Sequence, residues 1–193
     1  MLGDDELLIG GWQVMQRWEE PLMHALANEV TATQGDVLEI GFGMGIAASA
    51  KTERGCTSYT VIEAHTKVAE LSRDWASSQA VRVKVVEGFW QELVPTIGAD
   101  YDGILFDTFP MSRRERRRNH FEFIPHAPGL LRPGGVLTHY SDETIDFRPE
   151  HLRLLLDYFD EVKLLKVKGL RPTADCEYWH DSTMVVPIAR KNG

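Results

Sequence analysis

A glycine-rich turn between an apolar segment and a run of small residues is the feature that most constrains the fold. The mainly apolar residues 37–40 end at Gly41, and Gly43 and Gly45 follow in alternation. Glycine lets the chain turn sharply and brings its backbone closer to a ligand than a Cβ atom would allow. Because residues 46–52 indicate a helix, this segment predicts a strand, a ligand-binding turn and a helix in succession.

Apolar and amphipathic segments alternate along the rest of the chain, which is typical of an α/β fold with a doubly wound sheet. Further strands are predicted at Ser58–Ile62, Val81–Glu87, Tyr101–Asp107 and Val136–Tyr140. The intervening helices are predicted at His65–Ser77, Trp90–Val94, Asn119–Leu130 and Pro149–Phe159. Two last strands, Val162–Val167 and Met184–Ala189, are expected to pair antiparallel at the sheet edge. The expected fold is therefore Rossmann-like, with a seven-stranded, mostly parallel sheet and an antiparallel edge strand.

The N-terminal segment is predicted to form a helical cap. Apolar side chains between Trp12 and Asn28 approximate one helix face, which Pro21 must interrupt or restart. With 193 residues, the chain is expected to form a single domain in which a cap of residues 1–34 covers a core of residues 35–193.

Composition and charge exclude several classes of function. A formal net charge of −8 opposes broad binding to nucleic acid, which requires a basic surface. The chain shows neither an apolar segment as long as a membrane span nor a signal-peptide pattern, so a cytoplasmic protein without a membrane partner is expected. Cys56 and Cys176 lack metal-ligand spacing, as do His24, His120 and His180, and no metal site is predicted.

Two further features decide which cofactor the glycine turn favours. Glu63 ends the second strand at the distance where a carboxylate can accept hydrogen bonds from both ribose hydroxyls. Ile46 stands where the dinucleotide fingerprint needs its third glycine, so the turn suits S-adenosylmethionine, which carries no phosphate, better than a dinucleotide. The segment Leu131–Leu137, with its Arg-Pro-Gly-Gly sequence, is a second signal typical of methyltransferases that use this cofactor.

The carboxyl ends of the predicted strands should line a single cleft, since ligands of doubly wound sheets bind there. The segments at these ends are Gly41–Gly45, Glu63, Glu87–Trp90 and Asp107–Pro110. The arginine-rich run Arg113–Arg118 follows, and it is interpreted either as a solvated helix face or as a site for a substrate carboxylate.

Several longer blocks resemble guanidinoacetate N-methyltransferase and the related arginine N-methyltransferases, which are class I methyltransferases. The most specific blocks are residues 17–21, with the sequence Arg-Trp-Glu-Glu-Pro, and residues 107–110, with the sequence Asp-Thr-Phe-Pro. The other matching blocks include Val37–Ser49, Gly88–Trp90, His120–Ile124 and Ala174–Tyr178. The resemblance implies methyl transfer from S-adenosylmethionine to a guanidino nitrogen of a small molecule, with S-adenosylhomocysteine as the product.

The resemblance also implies roles for particular residues. Glu19 and Asp107 match the two carboxylates that hold the guanidinium group, and they are the candidate catalytic residues; Thr108 and Met15 join them as candidate substrate contacts. The implied cofactor contacts are Met15, Met23, Gly41, Phe42, Gly43, Met44, Gly45, Ile46, Ala47, Ala48, Glu63, Ala64, His65, Gly88, Phe89, Trp90, Gln91 and Asp107. From the residues alone, Met15, Met23 and Trp90 also fit a hydrophobic core, and Asp107 also fits a helix N-cap.

Two departures from the family pattern keep other acceptors open. Little chain precedes the block that begins at Val14, so Trp12 is expected to be the remnant of the family's N-terminal lid. The loop Ser141–Pro149 is shorter than the loop that helps to hold the carboxylate of guanidinoacetate. The alternatives are an N- or O-methyltransferase with a different small-molecule acceptor and a noncatalytic subunit that binds S-adenosylmethionine. A homodimer is also left open.

Overall fold

The computed structural model describes residues 3–98, 100–109 and 119–192. Within these ranges the strands are β1 (Glu6–Ile9), β2 (Trp12–Gln16), β3 (Asp36–Ile40), β4 (Ser58–Glu63), β5 (Arg82–Glu87), β6 (Tyr101–Phe106), β7 (Leu131–His139), β8 (Glu161–Lys168) and β9 (Thr183–Arg190). The α-helices are α1 (Glu20–Val30), α2 (Ile46–Arg54), α3 (Thr66–Ser77), α4 (Trp90–Leu93), α5 (Asn119–Phe123), α6 (Ala127–Leu130) and α7 (Pro149–Tyr158). From β3 to β8, strands alternate with helical segments as the sequence predicts, and β9 follows β8 without a helix between them.

The large sheet has seven strands in the order β5-β4-β3-β6-β7-β9-β8. Strands β3, β4, β5, β6 and β7 pair in parallel, whereas β9 runs antiparallel to both β7 and β8. The direction of winding reverses between β3 and β6, which is where doubly wound sheets bind their ligands. The predicted Rossmann-like sheet is therefore confirmed, with its seven strands and its antiparallel member.

The N-terminal segment differs from the prediction, because residues 12–16 form a strand and not the start of a helix. Strands β1 and β2 pair antiparallel through a tight turn at Gly10 and Gly11, whose φ angles are 58° and 84°. Positive φ at both positions is what a hairpin turn of this length requires, and glycine adopts it without strain. Helix α1 begins only at Glu20, with Pro21 in its first turn, where the missing N–H costs nothing.

Prolines divide the helix predicted over residues 119–130. The structure has α5, a 3₁₀ turn at Ile124–His126 and then α6. Pro125 and Pro128 lie in the first turns of the last two segments. Since proline lacks the N–H that a continuous helix would use, each of them begins a new segment.

Strand β7 begins earlier than predicted, at Leu131 instead of Val136. Its pairing with β6 shifts register between Tyr101 and Gly103, so β7 carries extra residues there. The predicted turn at Gly134 lies within this bulge, where Gly134 has a φ of +81°.

Two buried clusters cover opposite faces of the sheet, because neighbouring residues of a strand point to opposite sides. Val37 and Leu105 belong to the cluster that includes the β1–β2 hairpin and helices α1, α2 and α3. Leu38 and Ile104 belong to the cluster that includes helices α4, α5, α6 and α7. Among the helices of the described residues, none has the combination of length and apolar character needed to cross a membrane.

At the amino ends of β3 and β6, one arginine joins two carboxylates. The Arg132 guanidinium donates to Asp36 at 2.8 Å and to Asp102 at 2.7 Å. This pairing fixes the β7 bulge against the amino ends of the two strands. The predicted site is at the other edge of the sheet, at the carboxyl ends.

Candidate active site

A cavity of about 550 Å³ lies at the carboxyl ends of β3, β4, β5 and β6. Its volume falls in the range of sites that enclose a cofactor or another small ligand. The predicted site residues on its wall are Met15, Glu19, Gly41, Gly43, Glu63, Ala64, His65, Gly88, Phe89, Trp90, Gln91, Asp107 and Thr108. Glu87 is not on this wall, and its carboxylate accepts a hydrogen bond from Arg73 at 2.7 Å. Pro110 and the run Arg113–Arg118 lie outside the described residues.

The glycine turn follows β3, and close approach of backbone and side chains explains its composition. Gly41 has a φ of +91°, and a Cβ atom there would lie 2.0 Å from the backbone oxygen of Asp107. A Cβ atom on Gly43 would lie 2.6 Å from the sulfur of Met15. The Met15 sulfur also accepts a hydrogen bond from the Met44 backbone N–H at 3.3 Å. The turn is therefore held between the end of β6 and strand β2 of the hairpin.

We predict that Gly41→Ala is far more destabilising than Gly134→Ala. Both glycines have positive φ, so both substitutions strain the backbone by roughly 1–2 kcal/mol. Only Gly41 also meets a backbone carbonyl, whereas a Cβ atom on Gly134 has no neighbour within 4 Å. The free energy of unfolding, measured with denaturant, should fall by at least about 2 kcal/mol more for Gly41→Ala. Equal losses in the two variants would contradict the close approach.

Glu63 binds the glycine turn to the start of α3. Its Oε2 accepts the backbone N–H of Phe42 at 2.9 Å, and its Oε1 accepts the backbone N–H of His65 at 2.8 Å. Each carboxylate oxygen can accept a second hydrogen bond. Glu63 is therefore fixed in place on the cavity wall with capacity to bind the hydroxyls of a ribose.

Some implied cofactor contacts do not lie on the cavity wall. Met23 is fully buried within the cluster around α1, which agrees with the core interpretation that its sequence position left open. Phe42 packs against Trp75, with ring centroids 5.6 Å apart. The others that belong to this cluster or pack against it are Met44, Ile46, Ala47 and Ala48. Gly45 is also off the wall, where a Cβ atom would contact the Phe42 ring at 2.8 Å.

Trp90 belongs to the core and also lies on the cavity wall. It lies on the cavity wall, and its ring makes edge contacts with Phe106 at 5.8 Å and with Phe123 at 5.4 Å between centroids. One side of this tryptophan therefore belongs to the core, while the cavity side offers an aromatic surface to a ligand.

The two candidate catalytic carboxylates face the same cavity, although 88 positions separate them in the sequence. Glu19 ends the 3₁₀ turn that joins β2 to α1, and its Oε1 accepts the backbone N–H of Gln16 at 3.0 Å. The same oxygen accepts the Tyr178 hydroxyl at 2.5 Å. Asp107 follows β6 directly, and its backbone N–H donates to Ile40 at 2.9 Å.

Both carboxyl groups resist ionisation. Burial and the negative charge of Asp107 raise the pKa of Glu19 to about 8. Burial raises the pKa of Asp107 to about 6, although the nearby Lys51 ammonium group opposes this effect. A buried pair of carboxyl groups of this kind is stabilised by a cation placed between them, which favours the ionised form of both.

Tyr178 and Tyr140 also line the cavity, although neither was predicted to be a site residue. Tyr178 belongs to a block that matches the family, so that block was the available signal. Tyr140 comes directly after β7, and the rule that strand ends carry the site would have included it. The hairpin adds Leu7, Ile9 and Val14 to the cavity wall. In the sequence, the Gly10-Gly11 pair was the feature that indicated a hairpin.

Comparison with known proteins identifies a family for this chain. A family model for guanidinoacetate N-methyltransferase matches residues 2–192. Protein arginine N-methyltransferase 2 of Aspergillus fumigatus is 28% identical over 195 residues, covering 92% of this chain and 45% of its own length. The protein of that name from Aspergillus oryzae is 36% identical over 134 residues, covering 66% of this chain and 31% of its own length. The chain thus spans less than half the length of these relatives.

Solved structures share the fold at low sequence identity. The O-methyltransferase TomG from Streptomyces achromogenes has a TM-score of 0.65 and 16% identity, covering 93% of this chain and 82% of its own. Spermidine synthase from Thermotoga maritima has a TM-score of 0.68 and 17% identity, covering 96% of this chain and 65% of its own. These likenesses show the fold, and the family model matches almost the whole chain. The chain therefore belongs to the guanidinoacetate N-methyltransferase family, whose members are S-adenosylmethionine-dependent methyltransferases.

Proposed function

We propose that this protein transfers a methyl group from S-adenosylmethionine to a guanidino nitrogen of a small molecule. The observation that carries the proposal is the pair of carboxyl groups, Glu19 and Asp107, on the wall of one cavity beside the glycine turn. A substituted guanidinium group is flat and presents pairs of N–H groups along two of its edges, so two carboxylates can each accept a pair of its hydrogen bonds. Names of the curated relatives, which refer to arginine methylation, support the same class of acceptor.

The cofactor has a matching set of residues in the same cavity. Glu63 would hold the ribose, and the backbone of Gly41 and Gly43 would contact the amino-acid end. Trp90 would cover one face of the adenine ring. The polarizable sulfur of Met15 lies against the turn and tolerates a neighbouring sulfonium group. When bound, S-adenosylmethionine supplies an electrophilic methyl group on that sulfonium.

The carboxylates perform the remaining chemistry in the proposal. They fix the plane of the guanidinium group, and their negative charges stabilise the positive charge that passes to the attacking nitrogen. Asp107 is the proposed proton acceptor, because it follows β6 next to the glycine turn. Its pKa of about 6 is lower than that of Glu19, so Asp107 is the carboxyl group that is mostly ionised at neutral pH. In this step the nitrogen would gain the methyl carbon, the electron pair of the carbon–sulfur bond would stay on sulfur, and Asp107 would accept the proton that the nitrogen loses.

A substrate panel tests the proposed function. Labelled methyl transfer should be measured with arginine, guanidinoacetate and agmatine, and with lysine as a cationic control that lacks the guanidino group. Transfer to guanidino compounds only would support the proposal, and transfer to lysine alone would exclude it. A peptide that carries an arginine distinguishes a small-molecule acceptor from a protein one, since better turnover of the peptide would reassign the acceptor.

The pH dependence of kcat/KM should report both carboxyl groups, because this parameter reflects ionisations in the unliganded protein. Their pKa values of about 8 and about 6 lie above the ordinary carboxyl range, so the ionised pair is lost as the pH falls through these values. Activity with a guanidinium substrate is therefore expected to rise from about pH 6 to a plateau above about pH 8.

Tyr178→Phe should move the second part of this rise in activity, which reports Glu19, to higher pH. The tyrosine hydroxyl donates to the ionised form of Glu19, and loss of a hydrogen bond to a charged group raises that pKa by about one unit or more. Tyr158→Phe, on the exposed side of α7, is the matched control and should leave the profile unchanged. An unchanged profile in Tyr178→Phe would mean that the ionisation of Glu19 does not control this part of the rise.

A further inference from the structure

A cluster of three buried histidines lies next to the cavity and has no part in the proposed reaction. His120 is on α5, His139 is the last residue of β7, and His151 is on α7. One ring nitrogen from each lies within 4.8 Å of the others. The rings of His120 and His139 are stacked, with centroids 4.2 Å apart. Intervals of 19 and 12 positions separate these residues in the sequence, so only the fold brings them together.

Hydrogen bonds fix which nitrogen of two of these rings carries the proton. The Nδ1 of His151 lies 2.7 Å from a carboxylate oxygen of Glu143, and the Nδ1 of His139 lies 2.8 Å from the backbone oxygen of Tyr140. Glu143 is held as a carboxylate by the Arg148 guanidinium at 3.0 Å. A carboxylate and a carbonyl oxygen only accept hydrogen bonds, so both Nδ1 atoms must be donors.

It follows that both Nε2 atoms present lone pairs when the rings are neutral. These two atoms lie only 3.2 Å apart, and neither can donate a hydrogen bond to the other. Facing lone pairs in a buried site repel each other unless a proton or a metal ion lies between them. His120 adds a further buried nitrogen, because its Nε2 has no hydrogen-bond partner among the described residues.

We propose that His120, His139 and His151 form a binding site for a zinc ion. Three neutral imidazoles are a recurrent ligand set for Zn²⁺, and tetrahedral zinc–nitrogen bonds of 2.0–2.1 Å place two ligand nitrogens about 3.3 Å apart. The observed separation of 3.2 Å matches that edge. Magnesium and calcium are disfavoured because they prefer oxygen ligands.

The surroundings of the cluster match those of known histidine sites for metals. Metal-bound histidines usually donate their second ring N–H to a carboxylate or a backbone carbonyl, which fixes the ring and strengthens the ligand. His151 and His139 make these two kinds of hydrogen bond. Because His120 is also on the cavity wall, the ion would join α5, β7 and α7 and hold that wall in place.

Metal binding by the full chain tests this proposal without reference to methyl transfer. After removal of metals with a chelator, the protein should bind one equivalent of Zn²⁺, and Co²⁺ should give the visible absorption of a tetrahedral nitrogen site. His139→Gln should weaken zinc binding by at least about a hundredfold, and Glu143→Gln by about ten- to a hundredfold. His24→Gln, at an exposed histidine of α1, is the control and should bind zinc as the wild type does.

Two further measurements keep the result decisive if a variant folds poorly. Binding of S-adenosylhomocysteine shows whether each variant retains its fold. In the wild type, nitrogen NMR should show the signals of the His139 and His151 Nε2 atoms shifting when Zn²⁺ is added. Lack of a stoichiometric ion in the wild type would overturn the proposal, as would zinc binding that leaves these signals unmoved or that persists in folded His139→Gln.

Discussion

Replacing Asp107 by alanine is expected to abolish methyl transfer while S-adenosylmethionine binding stays within about tenfold of the wild type. The proposed reaction needs this carboxylate to orient the guanidinium group and to accept its proton, and the two roles together are worth at least about a thousandfold in rate. The backbone contacts of Asp107 with Ile40 and with Gly41 do not depend on its side chain. The cofactor half of the cavity should therefore survive the substitution.

A single-turnover assay with labelled S-adenosylmethionine measures the chemical step in Asp107→Ala, and calorimetry with S-adenosylhomocysteine measures binding. Asp107→Asn is the matched variant, because it keeps the shape of the side chain and removes only its charge and its basicity. We expect Asp107→Asn to be nearly as inactive as Asp107→Ala. A kcat near that of the wild type in either variant would remove Asp107 from the mechanism.

Glu19→Gln is expected to reduce kcat/KM for a guanidino substrate by about a hundredfold, which corresponds to a charged contact worth ~3 kcal/mol. Glutamine has nearly the same shape, and its amide oxygen can still accept the Gln16 N–H or the Tyr178 hydroxyl. The fold around the 3₁₀ turn should therefore persist. What is lost is the negative charge that Glu19 contributes to binding the cation in the proposed reaction.

Glu20→Gln provides the control for this substitution. Glu20 is the adjacent residue and carries the same charge, but it is exposed at the start of α1 and does not line the cavity. Its substitution should leave kcat/KM within about twofold, as expected for an exposed charge. If Glu19→Gln and Glu20→Gln have the same kinetics, Glu19 does not bind the substrate.

Local sequence signals predicted the sheet well, because the strands from β3 onwards are short segments with an apolar or alternating pattern. They failed at residues 12–16, where Trp12, Met15 and Trp18 repeat at the interval of a helix face although the first two lie on a strand. The glycines at positions 10 and 11 were the competing signal, since this pair favours a hairpin. Tertiary pairing with β1 outweighed the helical pattern.

The candidate site was predictable only where the family pattern or a strand end marked a residue. Asp107 belongs to the family pattern and also follows a strand end, whereas Glu19 was predicted from the family pattern alone. Both residues line one cavity in the structure. The contact between Tyr178 and Glu19 joins residues that are 159 positions apart, and no local rule predicts such a pair. The histidine cluster was missed for the same reason, because its members have no regular spacing.

The hairpin has a consequence for how this chain can change. Met15 contacts the glycine turn, and Glu19, only four positions later in the sequence, lies on the wall of the same cavity. The proposed contacts with the cofactor and with the acceptor therefore come from one short segment, residues 15–19. Exchanging one side chain in this segment alters one contact, whereas adding or deleting a residue displaces both. The length of the segment is therefore more tightly constrained than its composition.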